Sequence, residues 1–197
     1  PAFSFIATAE TVVLLGATPV YVDIDPATFN MDVEKIEEAI TPKTKAIQPV
    51  SLYGQTCDMD EINSIAKKNG LHVIEDAAHA LPATINDQKV GSSGRLTAFS
   101  FYANKHITTG EGGMIVTDSE QLVERCRSLR NLSFNKDRRF VHEELGYNFR
   151  MTNLQAAVGL AQMERITDIV GRKREIGRHY TELLSDMAAA LELPVAA

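Results

Sequence analysis

The sequence predicts an α/β domain, a mostly parallel sheet with helices on both faces. Three observations carry that expectation. β-rich apolar runs alternate with amphipathic runs, the connections between them are short, and 197 residues at 44% hydrophobic content supply enough apolar mass for a real core. Length alone argues for one domain or at most two. Strand–helix–strand repetition with short connections favours parallel pairing and coverage on both faces.

Each element has its own local signal. "TAETVVLLG" (8–16) is apolar on one helical face and stops at Gly16. "PVYVDI" (19–24) reads as a buried strand, rich in Val and Ile. "MDVEKIEEAI" (31–40) spaces Val33, Ile36 and Ile40 as a helix stripe, and "TKAIQPV" (44–50) reads as a strand. "DMDEINSIAKKNG" (58–70) predicts a helix capped by Asp58, with Ile62, Ile65 and Ala66 as its stripe and Gly70 as its stop. "HVIEDA" (72–77) follows as a strand, and "ATINDQKVG" (83–91) as a hairpin turning at "ND". "LTAFSF" (96–101) and "GMIVTD" (113–118) are the next strands, then a helix over 119–131 opened by Ser119. Residues 152–187 read as long and helical, with Ala156, Leu160 and Met163 on one apolar face. No repeat or low-complexity segment interrupts this order, and the tail "AAALELPVAA" (188–197) carries no signal.

Composition narrows the function. Net charge is −6 with no basic block beyond the short "KDRR" (136–139), which argues against a nucleic-acid partner. No apolar run approaches the roughly 20 residues of a bilayer span. Two cysteines, Cys57 and Cys126, stand apart without metal-ligand spacing. That usage points to a reducing, cytoplasmic compartment. The five histidines never pair at i, i+4, so a metal site has no ligand set. "GEGG" (110–113) is not followed by Lys-Ser/Thr, and no G-x-G-x-x-G joins an early strand to a helix.

Parallel sheets gather chemistry at the carboxyl ends of their strands. That places Asp76 and Ser100 at one rim, with Lys105 in the loop after the second of these strands. An acid and a lysine so placed can be a structural ion pair, a general acid–base pair, or grips on two ends of one cofactor. Pyridoxal phosphate (PLP) requires an amine for a Schiff base, a carboxylate to keep its pyridine nitrogen protonated, donors for its phosphate and a flat group against its ring. Lys105, Asp76 and Ser100 can supply the first three, and Phe5 or His79 the fourth. Each has a plainer reading alone. A strand-end Asp often caps, a loop lysine is usually solvated, His79 is more often a satisfied polar residue, and Ser100 can bond its own backbone.

"GATPVYVDID", "VSLYGQTCDMDEI", "VIEDAAHA", "FSFYANKHITTGEGGMIVTD" and "GYNFRMTNLQAAVGLAQME" together resemble the nucleotide-sugar aminotransferases of the DegT/DnrJ/EryC1/StrS family, in order and spacing over about residues 1–175. The resemblance implies the large domain of a fold-type I PLP-dependent aminotransferase. It divides the chain into a PLP-binding domain over 1–150 and a helical connection over 151–197 that leads toward a small domain. It also implies that an upstream phosphate-binding turn and that C-terminal small domain lie outside this chain. The details of "SFYANKHITTGEGGM" and "GYNFRMTN" are most similar to members that aminate C4 of GDP-4-keto-6-deoxymannose with glutamate as donor, in polysaccharide or O-antigen (lipopolysaccharide) sugar biosynthesis.

By that resemblance Lys105 carries the cofactor and moves the proton, Asp76 pairs with the pyridinium nitrogen, and Ser100 bonds the phosphate. Phe5 stacks on the ring and His79 stands by its O3′ side. Asn148 reaches the phosphate held by the other subunit of a homodimer. Two rival expectations follow. In the family's 3-dehydratases a histidine replaces the lysine, a role His106 takes if the register slips by one. A truncated, non-catalytic remnant of the fold is the other.

Overall fold

The computed structural model describes residues 1–135, 137–187 and 190–193. Lys136 of "KDRR" and most of the 188–197 tail therefore lie outside the described residues. A four-stranded sheet organises the chain: β1 (Ala46–Ile47), β2 (His72–Asp76), β5 (Leu96–Ser100) and β6 (Gly113–Val116), side by side in that order. The first two pairings are parallel and the last is antiparallel, with Asp76 opposite Ala98 and Ser100 opposite Gly113. The sheet is thus mixed and mostly parallel, as the alternating pattern predicts.

The hairpin β3 (Thr84–Ile85) and β4 (Gln88–Lys89) stands apart, turning at Asn86 and Asp87, both with positive φ (48° and 61°). Two such residues in a row make the turn whose twist suits adjoining antiparallel strands.

Helix α3 (Met59–Lys68) forms where its local signals place it. The Asp58 side chain accepts from the Glu61 backbone N–H, Ile62, Ile65 and Ala66 are buried, and Gly70 takes φ 65° past the end. Its stripe packs with Val22, Met31, Ile36, Ile47, Cys57, Met59 and Val73 into the core. Burial pushes the Cys57 thiol up to about 11, so it stays protonated as a core side chain. Alternation along β2 sends Val73 and Glu75 inward, where Glu75 accepts from the Ser51 and Thr97 hydroxyls at 3.0 and 3.1 Å. Asp76 projects to the other face, toward α1 (Ala7–Leu14).

Three expected elements differ. Residues 19–24 are not a strand of the sheet: only Ile24 forms an isolated bridge, with Met31, and Val20 and Tyr21 are exposed. β-branched composition measures fitness for lateral pairing, and no described strand runs beside this segment. Residues 31–40 split into a 3-10 turn, Val33–Lys35, begun by Asp32, and the short α2 (Ile36–Ala39), although Ile36, Val33 and Ile40 do face the core. The long helix over 152–187 breaks into α5 (Asn153–Met163) and α6 (Ile166–Leu184), because Arg165 leaves helical geometry at φ −110°, ψ 13°. α4 (Glu120–Arg130) is capped by Ser119 as expected. Among the described residues no helix is long and apolar enough to cross a membrane.

Candidate active site

The parallel register of β2 and β5 brings Asp76 and Ser100 to one rim. Asp76 is held from two sides. Its Oδ2 accepts from the Thr8 hydroxyl of α1 at 2.8 Å, and its Oδ1 accepts from the Ala78 backbone N–H at 3.0 Å. Both oxygens keep a lone pair for a further donor. Ser100 Oγ accepts from the Tyr102 N–H at 3.3 Å, so its hydroxyl proton remains available. The plain reading of Ser100, bonding its own backbone, is therefore true and compatible with the functional one.

Lys105 sits in the loop between β5 and β6, and that loop is clamped. Phe101 N–H bonds Gly112 C=O at 2.8 Å, and Thr109 N–H bonds Phe101 C=O at 2.9 Å. From α5, the Gln162 side chain accepts from Thr108 N–H at 3.0 Å and donates to Thr108 C=O at 2.7 Å. Gln155 donates to Glu111 C=O at 3.1 Å. Close approach needs the glycines. A Cβ on Gly113 would sit 2.7 Å from Phe99 O, and one on Gly159 of α5 would sit 2.9 Å from Thr109 Cγ2.

Burial lowers the Lys105 amine below the ordinary lysine value, with the Asp76 carboxylate partly opposing that shift. His79 is also lowered, by burial first and then by the Lys105 charge, with Asp76 opposing. Its Nδ1 accepts from the Tyr53 N–H at 3.4 Å, and the two rings stack at 5.9 Å. That bond leaves the imidazole proton on Nε2. Tyr53 holds left-handed geometry, φ 54° and ψ 21°, a conformation that costs roughly 1–3 kcal/mol and gathers at functional sites. Tyr53, His79, Asn104, Lys105, His106 and Lys173 line one cavity of about 290 Å³. A cleft of similar size, about 280 Å³, opens at the amino end of β2 near His72 and Arg95, away from every rim residue.

Of the residues expected at the site, His79 and Lys105 line this cavity, Asp76 and Ser100 stand at the strand-end rim outside its lining, and two are exposed away from it. Phe5, just before α1, is 74% exposed. Asn148 is exposed, and its Oδ1 accepts from Arg150 Nε at 2.8 Å. Conversely, Thr8, Tyr53, Asn104 and Lys173 belong to the site without having been singled out. For Tyr53 the signal was its place before Gly54 in "SLYGQ". Thr8 and Lys173 carry no local signal.

A mostly parallel sheet with an acid at one strand end and a half-buried lysine in the next strand's loop defines the large domain of fold-type I PLP-dependent aminotransferases. The DegT/DnrJ/EryC1/StrS aminotransferase family model matches residues 1–197, and the chain belongs to that family. It is 50% identical over 184 residues to GDP-perosamine synthase of Caulobacter vibrioides, covering 93% of this chain and 50% of that protein. It is 43% identical over 181 residues to UDP-2-acetamido-2-deoxy-3-oxo-D-glucuronate aminotransferase of Pseudomonas aeruginosa, covering 91% of this chain and 50% of that protein. The crystal structure of S. venezuelae DesV in complex with a ketimine intermediate superposes with a TM-score of 0.91 at 37% identity, covering all of this chain and 53% of that one. The chain thus spans about half the length of the relatives it matches.

Proposed function

We propose that the full-length protein transfers an amino group from glutamate to C4 of a nucleotide-linked 4-keto-6-deoxy sugar, with GDP as the favoured nucleotide, using PLP. The observation that carries this reading is the pairing of Lys105 with Asp76: a half-buried amine in the loop after β5, acted on by the carboxylate at the end of the adjacent strand β2. Family membership and the 50% identity to a GDP-perosamine synthase support the substrate class.

The residues fit the cofactor by their donor chemistry. Lys105 offers an amine, Asp76 two accepting oxygens held in place, and Ser100 a free hydroxyl proton. PLP, when bound, supplies an aldehyde for the amine and a ring that withdraws electrons. Asp76 would hold a proton on the ring nitrogen, which would keep that withdrawal strong. Lys105, in the fraction that is neutral at working pH, would accept and return the proton that moves between the substrate carbon and the cofactor's C4′. Burial raises that fraction by lowering the amine's proton affinity. His79, its proton on Nε2, would donate toward the ring's phenolic oxygen. Ser100 would donate to the phosphate, and Phe5 would cover the ring. In a homodimer, Asn148 serves the phosphate of the neighbouring subunit's site. The division into a cofactor-binding part (1–150) and a helical connection (151–197) belongs to the same proposal, as does residence in the cytoplasm.

Supplying full-length protein and PLP with glutamate and GDP-4-keto-6-deoxymannose tests the reading. Formation of 2-oxoglutarate with the 4-amino sugar is expected. Asp76→Asn should slow it by orders of magnitude, because shape is kept and the charge is lost. Loss of water at C3 without amino transfer would instead favour the dehydratase, and no reaction with any keto sugar would favour the inert remnant.

A further inference from the structure

The cavity beside Lys105 is lined by the basic side chains of His79, Lys105, His106 and Lys173, together with Tyr53 and Asn104, and among the described residues by no carboxylate. Lys173 reaches it from α6, a helix more than sixty positions further along the chain than Lys105. Its neighbour Arg172 faces elsewhere and pairs with Glu175 at 2.6 Å. Asp76, the acid that acts on Lys105, does not line the cavity. After burial, the influence acting most strongly on His106 is the Lys173 charge, ahead of His79 and Lys105. The cavity therefore brings two ammonium groups, Lys105 and Lys173, together with two imidazoles, while the acid that acts on Lys105 stands outside the lining. Like charges gathered around a concave, partly desolvated space are offset when an anion enters it.

We propose that Lys173 is a substrate-recognition residue, its ammonium binding an anionic oxygen group of the incoming substrate on the Lys173 side of the Lys105 cavity. The inference rests on the proposed function, in which both co-substrates carry such a group: the diphosphate of the nucleotide sugar and the carboxylates of the amino donor. A lysine suits either, as a compact point charge on a flexible stem. Asn104 and His106 stand beside it as further donors.

The test uses the full-length protein and Lys173→Ala, a change to the best helix former on an exposed turn, which spares the fold. Losing a hydrogen bond to a charged group should raise the KM of one co-substrate about tenfold or more while kcat stays within about twofold. Lys173→Arg should restore most of the loss. A higher KM for glutamate assigns the site to the carboxylate, and a higher KM for the nucleotide sugar assigns it to the diphosphate. A second readout does not need turnover: calorimetric titration of GDP and of glutarate into the protein, wild type against Lys173→Ala. Weaker binding of one of the two in the variant supports the role. Unchanged KM values together with unchanged GDP and glutarate affinities overturn it. Because titration works on a protein that transfers nothing, failure of the aminotransferase reading and failure of the Lys173 assignment remain distinguishable.

Discussion

Ile36, Ile62 and Val73 are shut away in one cluster, whereas Met114, Ile115 and Leu160 are 52%, 55% and 63% exposed. The two regions differ in kind. Residues 22–77 carry α3, β1 and β2 and bury their apolar side chains against one another. Residues 96–187 carry β5, β6, α4, α5 and α6, and neither α4 nor α6 buries a single residue. The candidate site lies on the seam. Asp76 closes the packed region, and Lys105 hangs from the first strand of the open one, in a loop held by hydrogen bonds from α5 and by the buried Phe101 and Ile107 on either side of it. The packed half fixes the acid. The open half presents the amine and leaves apolar side chains such as Met114, Ile115 and Leu160 exposed.

The contrast can be broken most sharply by truncating one side chain in each half. Ile62→Ala should cost about 2–5 kcal/mol of unfolding free energy, since Ile62 is fully buried among Ile65, Val73 and their neighbours. Leu160→Ala should change stability by no more than about 0.5 kcal/mol in the 197-residue chain alone. In the full-length protein it should cost more if the proposed homodimer covers that face. Denaturant unfolding of the four proteins reads this directly. Equal costs in the two settings would mean that the exposed face stays open in the whole protein.

A smaller effect is expected at the clamp. Gln162→Ala leaves Thr108 N–H and C=O without their side-chain partner, at a cost of about 1–3 kcal/mol. Because Thr108 lies three residues beyond Lys105, the variant should also lose hydrogen-exchange protection across residues 105–112 and not across α3. Uniform loss of protection in both places would argue against a local clamp.

The smallest effect concerns pH. Burial lowers Lys105, His79 and His106 alike, so the folded chain binds these protons less readily than the unfolded chain. Their contribution to stability therefore rises with pH. For the histidines the rise falls in the window between their lowered values and the ordinary 6.5, and for Lys105 between its lowered value and 10.5. His106→Gln should flatten the melting-temperature profile below pH 6.5, and Lys105→Met should flatten it on the alkaline side. Asp76→Asn should lower the Lys105 value further, seen as a reductive-methylation midpoint moved to lower pH. A midpoint moved upward would contradict the coupling.

How much of this was legible depends on whether a signal was local. Helix α3 could be read to its ends because cap, stripe and terminal glycine all lie within thirteen residues. So could the Asn86–Asp87 turn. The rim could be read as well, since strand ends in a parallel sheet place Asp76 and Ser100 together whatever surrounds them. Residues 19–24 could not, because strand composition states a capacity for pairing and not the presence of a neighbour. The break between α5 and α6 was hidden because polar and apolar residues keep helical spacing through Arg165. Thr8, Tyr53 and Lys173 join the site only through tertiary approach. Lys173 in "GRKREIGRH" looks like any other cation on a solvated helix.

The assignment of Lys105 as the cofactor-bearing amine is tested most directly by covalent mapping. The full-length protein is incubated with PLP, reduced with borohydride and digested, and the pyridoxyl-bearing peptide is sequenced by mass. The label is expected on Lys105, within the peptide that spans "SFYANK", and should disappear in Lys105→Ala. A label on Lys173 or any other lysine, or none on a protein shown to be folded, would contradict it.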